Sequence, residues 1–153
     1  MLETPHVIVG AAIAFKITNP LLALPLALGS HFILDMTPHW NPHLNTETKK
    51  FGKPTKRSVN IVIADVCLSL VAGFFIASKA LPNSTHALTI LATCFLSVLP
   101  DVIEGPYFFL EKRSDFIKKW IKFQTSIQAN VSILPGLATQ FLTILAAFWW
   151  IQN

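Results

Sequence analysis

The chain has 153 residues, of which 52% are hydrophobic and 13% charged, about half the charged share of an ordinary soluble domain, and its mean hydropathy is +0.53. Disorder, a collagen-like fibre and a disulfide scaffold are excluded on that basis. Cys67 and Cys94 both stand inside apolar runs, so no CxxC metal site is available either. Twelve basic against eight acidic residues leave a net charge of +4, but the basic residues flank apolar segments instead of lining an aromatic-interleaved groove, which points to lipid and away from nucleic acid.

Five apolar segments follow in order. The first, His6 to Ile17, is closed by Thr18-Asn19-Pro20; as a helix it covers roughly 18 Å, too little for a hydrocarbon core of about 30 Å. The sequence leaves open whether this short helix is inserted or lies flat. The opening MLETPHVIVG shows neither a basic region nor a small-residue cleavage site, so it is not read as a removable signal. The second segment runs from Leu21 to Met36, with Trp40 beyond its end, and the third, fourth and fifth are Val59–Leu81, Ala87–Leu110 and Val131–Ile151. These last three are long enough to span. A polar, basic loop over 41–57 and a second basic stretch from Lys112 to Lys122 hold ten of the twelve basic residues. Two crossings separate them, so they share a face, which the positive-inside rule makes cytoplasmic. Within 114–128, Phe116, Ile117, Trp120, Ile121 and Ile127 fall at helical spacing with Lys118, Lys119 and Lys122 mostly off that face, the pattern of an amphipathic helix on the membrane surface. The expected architecture is all-α: one polytopic helical bundle over 1–153, with three or four spanning helices, a short N-terminal helix and a cytoplasmic interfacial helix.

Three of the four aspartates, Asp35, Asp65 and Asp101, interrupt apolar segments. A carboxylate at the centre of a membrane helix costs about 2.5–3.5 kcal/mol on insertion scales, so each needs a partner or a wet cavity. His31 and Asp35 are four apart and share a helix face; His39 and His43 follow at the same interval, past Pro38 in the first case and Pro42 in the second. Threading the topology brings His6, His31, Asp35, His39, Asp65, Asp101 and Glu104 to one depth near the cytoplasmic end. Mixed imidazole and carboxylate donors suit zinc, manganese or iron, and a hydrolytic site. The reading takes His6, His31, Asp35, His39 and Asp101 as metal ligands, with Asp65 and Glu104 as catalytic carboxylates. Glu104 is equally readable as a cap near the Gly105-Pro106 break, His43 as an exposed loop residue, His86 as an ordinary helix-start residue, and both cysteines as packing residues. Small and polar stripes such as His6/Gly10/Ala14, Asp65/Ser69/Ala72 and Gly136/Gln140/Thr143 predict close helix approach.

The stretches TPHVIVGAAIA, HFILDMTPHW and LPDVIEG resemble those of small membrane-bound metal-dependent hydrolases, the LexA-binding, inner-membrane-associated hydrolase family and related bacterial and archaeal families. The resemblance covers most of the chain and implies a prokaryotic inner-membrane protein in which His6 and Asp101 fall on the family's motifs. More distantly, HFILDMTPH resembles the HYxGDxxQPxH stretch of the all-helical zinc-dependent phospholipases C and single-strand nucleases. That similarity implies that His31 and Asp35 are metal ligands, Asp35 bridging, while His39 stands two residues off that superfamily's later histidine. Relatives often carry histidines about where Gln124 and Thr125 stand; their absence here implies fewer metals or an inactive site.

The expected function is therefore hydrolysis of an ester or phosphodiester, with a phospholipid headgroup as the natural substrate at that depth and membrane lipids as partners; a homo-oligomer stays open. Two other classes compete: a non-catalytic membrane protein whose cluster is a structural metal site or an interhelical polar core, and an ion or proton path. Against the last, the ionisable residues stop near one face.

Overall fold

The computed structural model describes all residues from Met1 to Asn153 and contains seven helices and no strand: α1 (Glu3–Lys16), α2 (Pro20–Asp35), α3 (Leu44–Phe51), α4 (Lys56–Ser78), α5 (Ser84–Phe109), α6 (Asp115–Ile127) and α7 (Ile133–Gln152). Helices α4, α5 and α7 are long and apolar enough to cross a membrane. Most of their large apolar side chains, among them Phe74, Phe95, Leu134 and Leu142, point outward, which suits lipid as the surrounding solvent.

The short first helix occupies the centre. It packs against α2, α4, α5 and α7, and buried residues run round its whole circumference from Thr4 to Ala14. A helix apolar on every side is a core helix, so the alternative left open by the sequence resolves to insertion within the bundle. Gly10 allows the closest approach: a Cβ there would stand 2.8 Å from both the Ser97 side chain and the Thr93 carbonyl oxygen on α5.

Burying the start of this helix takes its first amides away from water. Neighbouring helices supply the partners. Asp65, on α4, accepts from the amides of Glu3 and Thr4 (3.2 Å for the latter) and from the Thr4 hydroxyl at 2.6 Å. Gln140, on α7, accepts from the Leu2 amide at 2.9 Å and donates to the Trp40 carbonyl at 2.8 Å. At the other end His86, on α5, donates from Nε2 to the Ala14 carbonyl at 2.9 Å; the residue expected to be an ordinary helix-start residue closes the C-terminus of α1.

The loop over 41–57 is not irregular throughout, because it contains α3. Gly52, at φ 80°, ends that helix in the left-handed conformation. Glu47 of α3 ties it to the start of α4, accepting from the Thr55 amide at 2.8 Å and the Ser58 hydroxyl at 2.8 Å. Helix α2 stops at Asp35, which leaves His39 beyond the regular helix. The segment around His39 is held by the linker between α6 and α7 instead: the His39 amide donates to Ala129, and the Val131 amide to His39, at 3.0 and 2.9 Å. Gly136 makes room for this loop on α7, since a Cβ there would lie 2.8 Å from the His39 carbonyl carbon.

Two outcomes follow. Asp65→Ala leaves buried amides without an acceptor and lowers unfolding stability in detergent by about 1–3 kcal/mol, while Asp65→Asn, which keeps one accepting oxygen, loses less; equal losses would contradict the capping role. Burial pushes Glu47 up, but the hydrogen bonds from Thr55 and Ser58 outweigh it and hold the carboxyl below its ordinary 4.5. Its contribution to stability is complete above that ordinary value and is lost as pH falls through the depressed one. The hydrogen-exchange protection factor at the α3–α4 junction, taken relative to the intrinsic rate at each pH, falls across that acid range in the wild type and stays constant there in Glu47→Gln.

Candidate metal centre

The helix ends just described bring five side chains from four places in the chain to one point. His6 lies one turn into α1, His31 and Asp35 in the last two turns of α2, His39 in the braced loop, and Asp101 late in α5. The three histidines and Asp35 are completely buried, and Asp101 retains 20% of its side-chain exposure. Asp35 is the hub: its carboxylate oxygens lie 3.4 Å from His6 Nε2, 3.4 Å from His31 Nε2 and 3.9 Å from His39 Nε2. Asp101 reaches His31 Nε2 at 3.8 Å. Ligand atoms of His6, His31 and Asp101 lie within 4.8 Å of one another, a grouping able to hold a metal ion. The rings of His6 and His31 stack with centroids 4.3 Å apart.

The imidazoles are oriented by the backbone. His31 Nδ1 donates to the Ser97 carbonyl at 2.8 Å, and His39 Nδ1 to the Thr37 carbonyl at 2.9 Å. A carbonyl accepts only from N–H, so in both rings Nδ1 carries a proton and Nε2 is the nitrogen turned to the cluster, the orientation found in metal-ligating histidines. Neither Nε2 has a hydrogen-bond partner, nor has His6 Nδ1. Unpaired buried polar atoms are uncommon and call for an explanation. The Met1 nitrogen is paired with Asp35 and lies 3.4 Å from His6 Nε2. Burial holds the His39 imidazole below its ordinary value, which favours the neutral form that ligates metals.

Helix α6 covers the cluster. Gln124 is buried and donates to Asp101 Oδ1 at 3.0 Å; Gln128 donates to Asp35 Oδ2 at 3.4 Å. Trp120 donates to the Pro100 carbonyl at 2.9 Å and packs with Phe32 and Phe123, while Lys118, Lys119 and Lys122 remain exposed. The position where a histidine was noted as missing thus carries a glutamine that orients a carboxylate.

A polar cavity of about 190 Å³ opens beside the cluster, lined by Glu3, Asp101, Glu104, Gln124, Gln128 and His43 among others. Glu104 stands three residues beyond Asp101 with its Oε1 buried and unpartnered. His43 is exposed at the cavity rim. Asp65 also borders the cavity, but its carboxylate is engaged with the start of α1. Glu3, Gln124, Gln128 and Gln140 were not among the sequence-derived site residues. Glu3 carried a signal as an acidic residue three positions before His6, Gln124 as a position where relatives carry histidine, and Gln140 as a member of a small-residue stripe; Gln128 carried none. Cys94 is buried and distant in kind from this chemistry, donating weakly to the Val7 carbonyl at 3.7 Å.

Compared with known proteins, the chain matches no family model, no curated protein and no solved structure.

The geometry at His39 gives a direct spectroscopic expectation. With selectively ¹⁵N-labelled histidine, His39 is predominantly neutral and Nδ1-protonated at pH 6.5, the ordinary midpoint; a doubly protonated ring at that pH would contradict the assignment.

Proposed function

We propose that this chain is a membrane-embedded, metal-dependent hydrolase whose site lies at the cytoplasmic end of its bundle, acting on an ester or phosphodiester at headgroup depth, with a phospholipid as substrate. The observation that carries the reading is the pair of buried imidazoles, His31 and His39, each fixed through Nδ1 by a backbone carbonyl and each leaving Nε2 unpartnered beside Asp35. His6, His31, Asp35 and Asp101 would hold the ion, with His39 completing the set; the nitrogen-and-oxygen donor set fits zinc, with manganese or iron as substitutes. Sidedness follows from the basic residues, ten of twelve of which lie in 41–57 and 112–122 at the site's end of the bundle. The resemblance to the inner-membrane-associated hydrolases supports the same class and a prokaryotic inner-membrane location.

A bound ion would supply one thing, a water whose pKa is lowered toward 7. Asp35 and Asp101, steadied by Gln128 and Gln124, keep the donor set in register. Glu104, unpartnered at the cavity wall, takes the proton of the attacking water and returns it to the departing alcohol oxygen. One water is consumed: its oxygen bonds to the carbonyl carbon or phosphorus, the ester bond to that atom breaks, and an acid and an alcohol leave. Asp65 acts as a positioning residue, holding α1 and hence His6.

A second reading, a non-catalytic polar core, is favoured by the pairing of Asp35 with the Met1 ammonium, which neutralises the carboxylate without a metal.

Metal analysis by mass spectrometry on the full chain in detergent, combined with vesicle assays of ester and phosphodiester hydrolysis, separates the two. The hydrolase reading predicts bound zinc, manganese or iron in the wild type, lost in Asp35→Asn and His31→Ala together with at least about 10²-fold of turnover. Glu104→Gln keeps the metal and loses turnover. Equal turnover in wild type and both ligand variants would sink the enzyme reading; absence of metal from folded wild type would reduce the cluster to interhelical hydrogen bonding.

A further inference from the structure

The polar cavity is not closed at its lipid side. A second, apolar groove of about 490 Å³ runs between α4 and α5, and the two hollows share Glu3, Val62, Asp101, Gly105 and Phe109 in their linings. The groove is walled by Leu70, Phe74, Leu91, Phe95, Val98 and Val102, with Ser69, Gly73 and Cys94 also in its lining. Along α5 its lining extends from Leu91 to Phe109, about 27 Å at 1.5 Å per residue, against roughly 15 Å of hydrocarbon in one leaflet. Phe74, Phe95 and Val102 are exposed, so the groove opens where lipid surrounds the two long helices. At its polar end Gly105 keeps the passage clear: no atom lies within 4 Å of where its Cβ would stand.

We infer that this groove is the seat of one acyl chain of a membrane lipid, with the chain's polar end at Gly105 and its headgroup linkage in the cavity lined by Asp101, Glu104 and Gln124. Continuity distinguishes it from a shallow furrow on a lipid-facing surface, because the apolar trough leads into a polar hollow lined by Asp101 and Glu104. A free acyl chain in the bilayer already lies in hydrocarbon, so seating contributes packing and registration more than burial. What the groove adds is placement: a lipid lying along α4 and α5 presents its ester region at the depth of Asp101. The role as a substrate seat rests on the hydrolase reading; occupancy by a chain does not.

The test uses the full-length chain in vesicles of zwitterionic phospholipid containing a phospholipid with a photoactivatable acyl chain. After illumination, adducts are mapped by peptide mass spectrometry, and metal content is measured on the same preparations. Adducts are expected on Leu70, Phe74, Phe95 and Val98 above the level on Leu134 and Leu142, exposed residues of α7. Gly105→Leu adds four carbon atoms at the junction of the two hollows and lowers groove adducts by about tenfold while leaving α7 labelling unchanged. Val102→Trp, at an exposed position on the groove wall, gives the same loss and serves if Gly105→Leu misfolds. Labelling of the groove no stronger than that of α7, or groove labelling indifferent to both variants, overturns the proposal. Groove labelling that persists in a folded protein without bound metal supports the acyl seat and removes its hydrolytic role.

Discussion

Everything at the candidate site depends on a helix too short for its surroundings. Helix α1 has 14 residues, about 21 Å of helix, and is enclosed by α2, α4, α5 and α7. Buried residues run round it from Thr4 to Ala14, and an unsatisfied backbone group away from water costs several kcal/mol. Asp65 and Gln140 meet its first amides, and His86 meets a carbonyl of its last turn. These contacts fix the helix along its axis, and Gly10 against Ser97 and Thr93 sets its distance from α5. With position and approach both determined, His6 has one place to go: stacked on His31, beside Asp35.

The same economy of partners organises the cluster. Each imidazole fixed through Nδ1 uses a backbone carbonyl, of Ser97 or Thr37, so the orienting groups require no further polar side chain in the core. The carboxylates are steadied from α6 by Gln124 and Gln128. Helix α6 is therefore more than a surface element, because its apolar face packs on Phe32 and its glutamines reach the buried acids. The linker after it pairs with the His39 segment, so the cover and the outermost candidate ligand are braced by one another.

Much of this was legible in the residues themselves. The spacing of His31 and Asp35 on one helix predicts their shared face, and the alternation of apolar segments with basic loops predicts that His6, Asp35 and Asp101 reach one depth. Long apolar runs announced α4, α5 and α7 for the same reason, since composition alone sets their length. What was not legible depends on tertiary partners. A carboxylate inside an apolar helix reads alike whether it faces a cavity or caps a neighbouring helix, and only the position of α1 assigns Asp65 to capping. The central place of α1 was hidden because a helix buried all round has no polar face to orient it. Glutamines carry no charge to betray a functional position, so Gln128 was visible only against Asp35, and Gln124 was marked only as the place of a missing histidine, not as the partner of Asp101. Helix α3 was missed because a polar loop of that length gives little hydrophobic periodicity, and its docking rests on hydrogen bonds from Thr55 and Ser58 to Glu47.

The central claim is that the buried histidines and aspartates form one metal centre. Zinc K-edge X-ray absorption on the zinc-loaded full chain in detergent tests it most directly, because it reads the ligands without requiring a substrate. The account predicts nitrogen and oxygen donors at about 2.0–2.1 Å with outer-shell scattering from more than one imidazole, and no sulfur. A sulfur shell near ~2.3 Å, or an oxygen-only shell without imidazole scattering, would place the metal elsewhere and contradict it.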